Sequence, residues 1–165
     1  MSRVPEISVI CPNQILEAKH MIYRVAFPIF HADLPSGEAV SYYEKYWPLH
    51  DLDDVEHKYL GAGGTFLVMI EAERIIGTGA FVRVDDQVCE IKRVWLLPEF
   101  QGRGLGYQMM MRLLETARKM GYRQARLATS PAFQKRAYAF YHRLGFYDIP
   151  RFNDDPEDIG MELLL

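Results

Sequence analysis

The sequence predicts a single α/β domain built on a mixed, mostly antiparallel sheet of about seven strands with about four helices. Two observations lead there. Residues 65 to 97 hold three apolar runs separated by short polar turns, the pattern of an antiparallel meander. Residues 94 to 120, VWLLPEFQGRGLGYQMMMRLLETARKM, then pass from a short apolar run through Pro98 and a glycine cluster into a periodic amphipathic stretch, which reads as strand, turn and helix. At 165 residues, 49% hydrophobic and 25% charged, the chain is long enough for one well-buried core, and one domain over residues 1–165 is expected.

Each element has its own signal. Glu6 to Cys11 alternates as a first strand, and Pro12-Asn13 turns into a helix whose apolar positions are Ile15, Ala18, Ile22, Val25 and Ala26. Pro28 is expected to end that helix near Phe27. Helical character returns from Ser36 to Trp47, and Gly61-Ala-Gly-Gly64 is a turn because a strand follows it. Thr65 to Ile70 and Arg74 to Val84 form a hairpin over Glu71-Ala-Glu73, with Gly77 and Gly79 permitting a bulge. Val88 to Leu97 is the fourth strand. Leu105, Met109, Leu113 and Ala117, flanked by Met110 and Leu114, make one face of a helix ending at Met120 before Gly121. Gln124 to Thr129 is a strand, and a helix capped by Ser130 with Pro131 at its first position runs to Gly145. Phe146 to Pro150 and Ile159 to Leu165 complete the sheet around an acidic loop.

Charge and composition narrow the function. A net charge of -3 and a pI near 5.9, without any run of lysine or arginine, offer no attraction to nucleic acid. No apolar run approaches the length of a membrane span, so neither a membrane partner nor an anchor is expected, and a cytoplasmic location is the default. Cys11 and Cys89 match no metal-ligand spacing; they are expected to be buried free thiols, with no metal bound. A homodimer is compatible with the sequence and not specified by it.

The glycine cluster carries the chemistry. Gln101, Gly102, Arg103, Gly104, Leu105, Gly106 and Tyr107 lie at a helix start, where backbone N–H groups lack partners and the helix dipole is positive, a natural seat for a pyrophosphate. A Walker loop is excluded because Gly104 is followed by Leu105 and Gly106 instead of Lys and Ser or Thr. A dinucleotide fingerprint is excluded too, since Tyr107 and Met109 stand where its last glycine is required. The pattern that fits is Gln101-x-x-Gly104-x-Gly106, preceded by an apolar strand with Pro98 and followed, after a helix and a strand, by Tyr141-His-Arg-Leu-Gly145-Phe146. From about Glu90 to Phe146 the chain resembles the GCN5-related N-acetyltransferase (GNAT) superfamily.

The resemblance implies a sheet splayed between strands four and five, acetyl-CoA as the acyl donor, and a primary amine as the acceptor, small molecule or peptide, in a ternary complex. It implies that Gly102 to Tyr107 hold the pyrophosphate while Val94, Trp95 and Leu96 pair with the pantetheine arm. In the family an asparagine seven residues before the tyrosine bonds that arm; here Gln134 occupies its place. Leu96 is the residue whose N–H would meet the thioester oxygen. Tyr141 matches the tyrosine that protonates the departing thiolate, and a phenol is protonated at neutral pH. Glu90 takes the position of a glutamate base, although substrate anchoring, pairing with Lys92 or Arg93, or a water chain in its stead fit the same position. Arg103, Lys135 and Arg136 are further candidates for the coenzyme phosphates. Two other readings keep the same loop: a non-catalytic acyl-CoA-binding regulatory module, and an acyltransferase using a longer acyl chain. Seven acids between Asp33 and Glu56, and four more at Asp154, Asp155, Glu157 and Asp158, are expected to flank the acceptor entrance, with Tyr42 to Trp47 beside them.

Overall fold

The computed structural model describes residues 4–165; Arg3, the single basic residue of the N-terminal stretch, lies outside them. Seven strands form one sheet in the order β1-β2-β3-β4-β5-β7-β6. They are β1 (Glu6–Val9), β2 (Thr65–Glu71), β3 (Arg74–Arg83), β4 (Val88–Leu96), β5 (Gln124–Thr129), β6 (Tyr147–Ile149) and β7 (Ile159–Leu164). Every neighbouring pair is antiparallel except β4 with β5. That parallel pair holds only from Val88↔Gln124 to Glu90↔Arg126, after which both strands continue without each other. The expected splay is therefore present, and it begins at Glu90.

The described residues contain six α-helices: α1 (Ile15–Phe30), α2 (Ala39–Tyr46), α3 (His50–Asp53), α4 (Val55–Lys58), α5 (Leu105–Lys119) and α6 (Lys135–Arg143). Two more than expected arise because the acidic stretch after Trp47 coils into α3 and α4, each a single turn around buried Leu52 and Val55. Helices α1 and α5 both pack on β3. The seven consecutive residues from Ile75 to Phe81 are buried, so both faces of that strand are covered. Gly79 marks the closest approach, since a Cβ there would sit 2.8 Å from Leu113 Cδ1 and 2.9 Å from Met109.

Three local expectations are corrected. Helix α1 runs through Pro28, because the proline falls in its last turn, where only the exposed Arg24 carbonyl loses a donor, and His31 N–H closes the helix on Phe27 O at 2.8 Å. The last helix starts at Lys135 and not at Pro131. Ser130 O instead accepts from Phe133 and Gln134 N–H in a separate turn, and Gln134 (φ −124°, ψ 49°) breaks the helical path. Cys11 is exposed, since β1 stops at Val9 and the cysteine N–H is held by Gln14 Oε1 at 2.8 Å; only Cys89 is buried.

Candidate active site

The Val88–Leu96 strand is deformed just beyond the splay. Between Thr78↔Trp95 and Ala80↔Lys92, Arg93 and Val94 stand opposite Gly79 alone, a bulge in which Arg93 takes φ 57°. A non-glycine residue is unfavourable there, and side chains hold it. Arg93 donates to Asp51 through Nε (2.9 Å) and Nη2 (3.0 Å), Tyr59 donates its hydroxyl to the same carboxylate, and Thr78 Oγ1 donates to Arg93 O at 2.7 Å. Burial alone would raise the Asp51 pKa, but the bonds and charge of Arg93 together with the Tyr59 hydroxyl outweigh it, and the carboxyl is held below its usual range. Helix α3 thus pins the bulge.

Past the bulge, Leu97 N–H donates to Ile76 O of β3 at 2.9 Å, so by strand alternation the Leu96 N–H points to the opposite, open edge. The Leu96 carbonyl on that edge accepts from Gln101 Nε2 at 3.1 Å, which ties the strand end to the glycine turn. Gly102 and Gly104 both have φ +77°, the left-handed region, and a Cβ on either would meet nothing within 4 Å. Glycine is needed there by the backbone, and the space outside it is open. The first bond of α5 is Gln108 N–H to Gly104 O at 3.1 Å, leaving the N–H groups of Gly102 through Tyr107 without a backbone partner among the described residues. These groups stand at the positive end of a helix of 15 residues.

A cavity of about 990 Å³ lies over this turn, lined by Val94, Trp95, Leu96, Gln101, Gly102, Gly104, Leu105, Gly106, Tyr107 and Gln134, all of them residues singled out from the sequence. Its rim is basic, with Lys135, Arg136 and Arg143, and Arg136 Nη1 donates to Gln101 Oε1 at 3.3 Å. Arg103 is the exception among the loop residues. Its guanidinium lies over the Phe100 ring (5.2 Å) and donates to Glu71 at 3.3 Å, away from the cavity.

A second cavity, about 630 Å³, opens where β4 and β5 part. Glu90, Arg126, Thr129 and Ser130 line it, with Phe30, Phe133 and Phe152 as apolar walls. Of the two acidic stretches only the second reaches it, through Asp155, Glu157 and Asp158. Four of the seven acids in the first are occupied within the fold: Asp51 with Arg93, Asp53 with Lys19, Asp54 with His57 and Glu44 with His20. Nor do the aromatics Tyr42 to Trp47 line either cavity; Tyr42 and Tyr43 instead cluster with Phe27 and His31.

The two cavities share Val94, Trp95, Phe133, Gln134 and Tyr141. Tyr141 is 8% exposed, packs on Phe146 (ring centroids 5.9 Å), and its hydroxyl makes no hydrogen bond among the described residues. Burial pushes its pKa up to about 12, so the phenol keeps its proton throughout the neutral range. His142, one position on, turns away and meets Asp148 at 3.2 Å. Sequence reading passed over Arg126, Thr129 and Phe152, because a strand residue and a loop aromatic show their role only when the splay brings them to one cavity.

The model of the acetyltransferase (GNAT) family matches residues 32–146, and the chain belongs to that family. An uncharacterized N-acetyltransferase of Escherichia coli, YjgM, is 30% identical over 102 residues, covering 60% of each chain. Human N-acetyltransferase 8B is 32% identical over 102 residues, which are 58% of this chain and 44% of that protein, so the chain matches about half the length of these relatives. Among solved structures, an acetyltransferase from Streptococcus agalactiae superposes with a TM-score of 0.82 at 23% identity, covering 98% of both chains. The PaiA N-acetyltransferase from Thermoplasma acidophilum, solved in complex with coenzyme A, gives 0.81 at 18% identity over 99% of this chain and 100% of that one. At such identities the likeness is one of fold.

Proposed function

We propose that this protein transfers the acetyl group of acetyl-CoA directly to a primary amine, both substrates being bound at once. The observation that carries the reading is the meeting of two cavities at Tyr141, one over the unpaired N–H groups of the glycine turn and the other at the parting of the strands. The pyrophosphate takes the turn, and the pantetheine arm lies along the open edge of the Val88–Leu96 strand, pairing with it as a missing strand would. Gln134, lining both cavities, supplies an amide to the arm, and Lys135, Arg136 and Arg143 face the phosphates.

Leu96 N–H is aimed at the open edge, where it donates to the thioester oxygen as charge gathers there. The neutral amine attacks the thioester carbon, its proton passes to Glu90 directly or through water, the carbon–sulfur bond breaks, and Tyr141 gives its proton to the thiolate. No cysteine or histidine lines either cavity among the described residues, so no side chain of those types is placed to carry the acetyl group in between. The test is free-thiol release from acetyl-CoA with and without a panel of primary amines and peptide N-termini. Thiol release that requires an amine and yields the acetylated product supports the reading. Tight acetyl-CoA binding without turnover would make the protein a coenzyme-binding module, and faster reaction with longer acyl-CoAs would change the donor.

A further inference from the structure

We infer that the amine acceptor also carries a carboxylate, so that the substrate class is an amino acid or a similar amino carboxylate. The inference rests on the reading that the cavity between the parted strands receives the acceptor. Among the described residues, four buried side-chain polar atoms have no hydrogen-bond partner: Trp95 Nε1, Arg126 Nε, Thr129 Oγ1 and Ser130 Oγ. All four belong to residues lining this one cavity. Buried polar groups are almost always paired in native proteins, so four orphans distributed along one cavity mark the outline of an extended ligand.

Their chemistry says which kind. The indole and guanidinium nitrogens can only donate, and both hydroxyls are able to, so the complement must be rich in acceptor oxygens. Arg126 adds a permanent positive charge. It forms no ion pair among the described residues, even though Glu90 stands opposite it in register across the β4–β5 pair and Glu162 across the β5–β7 pair, where Glu162 is occupied by the Tyr147 hydroxyl at 2.6 Å. The guanidinium lies over the Phe152 ring at 4.0 Å, which fixes its plane and leaves its edge free for a carboxylate. Thr129 and Ser130 are each 3% exposed and lie three and four residues further along the chain, roughly 10 Å or more from Arg126 at the strand rise.

The other charge is provided for as well. Glu90, Asp155, Glu157 and Asp158 line the same cavity, and none is in an ion pair with a base among the described residues. A zwitterion satisfies both sets, its ammonium drawn by the acids and its carboxylate by Arg126. A polyamine would meet the acids but press a second cation against Arg126 and leave the indole and guanidinium donors orphaned. The paired rings of Phe30 and Phe133, 5.5 Å apart, offer an apolar wall to the rest of the molecule.

The experiment compares leucine, phenylalanine and 6-aminohexanoate with their neutral amides, and with spermidine and phenethylamine, by kcat/KM in the thiol assay and by thermal shift of the coenzyme-saturated protein. At least one carboxylate is expected to exceed its amide ten-fold or more. Arg126→Gln is expected to bring that ratio near one while leaving acetyl-CoA affinity unchanged. Arg126→Lys, which keeps the charge but not the two-pronged guanidinium edge, is expected to lower that ratio as well, and it serves where Arg126→Gln does not fold. Amides or simple amines used as well as every carboxylate, or a ratio untouched in folded variants, would overturn the inference and leave amine acetylation standing. Carboxylate-selective binding without any turnover would overturn the transfer reading alone. Neither turnover nor carboxylate-selective binding would overturn both.

Discussion

Replacing Gly104 separates the two things a glycine can do at a phosphate turn. With φ +77°, a residue bearing a Cβ is strained by about 1–2 kcal/mol, yet the space outside is open, so Gly104→Ala adds no clash to the free protein. For a domain of this size that strain lowers Tm by roughly 2–8 °C. Gly104→Asn should lose less, because asparagine tolerates the left-handed region. The coenzyme responds differently. On the proposed reading a side chain of either kind stands where the pyrophosphate would approach the unpaired N–H groups, and each charge-assisted hydrogen bond lost is worth about 1.5–3 kcal/mol, or roughly ten- to hundred-fold in Kd. Calorimetry with acetyl-CoA, beside thermal melts, is expected to show a weakened Kd in both variants while the Tm loss is concentrated in the alanine. Wild-type affinity in a folded Gly104→Asn protein would refute the assignment of this turn to the pyrophosphate.

Tyr141→Phe is expected to lower kcat about ten-fold or more with acetyl-CoA affinity nearly unchanged; because the phenol titrates only near 12, the loss should be the same from pH 6 to 10, and full activity would hand the proton to water. Glu90→Gln is expected to reduce kcat/KM and flatten the acid limb of its pH profile, whereas an unchanged profile would leave Glu90 as an anchor. Asp51→Asn breaks the pair that holds the bulge, costing about 2–3 kcal/mol by denaturant melts at neutral pH. Since the folded Asp51 pKa is depressed, its stabilisation is present above the ordinary carboxylate range and fades as pH falls through the folded value. The gap between wild type and variant should therefore narrow in acid, and a gap independent of pH would contradict the network.

What the sequence revealed followed from what local chemistry can encode. The Gln124–Thr129 strand has the expected bounds because alternation and flanking turn residues mark both ends, and the glycine turn was legible because few backbones demand glycine at such spacing. Pro28 misled because a proline in a final turn breaks almost nothing. Ser130 has every local mark of a helix cap, yet its hydroxyl has no partner and the residue lines the cavity at the strand parting, a fact set by tertiary position. The acidic run from Asp33 to Glu56 looked like one flank of the acceptor entrance until Asp51, Asp53 and Asp54 found Arg93, Lys19 and His57 in the fold. A carboxylate's partner 42 residues away leaves no trace in composition.

Direct transfer between two substrates bound together is the centre of this account, and initial-velocity kinetics test it most directly. With acetyl-CoA varied at several fixed amine concentrations, the account predicts double-reciprocal lines that intersect, and intact mass unchanged when the protein is incubated with acetyl-CoA alone. Parallel lines, together with a gain of one acetyl group on the protein, would contradict it.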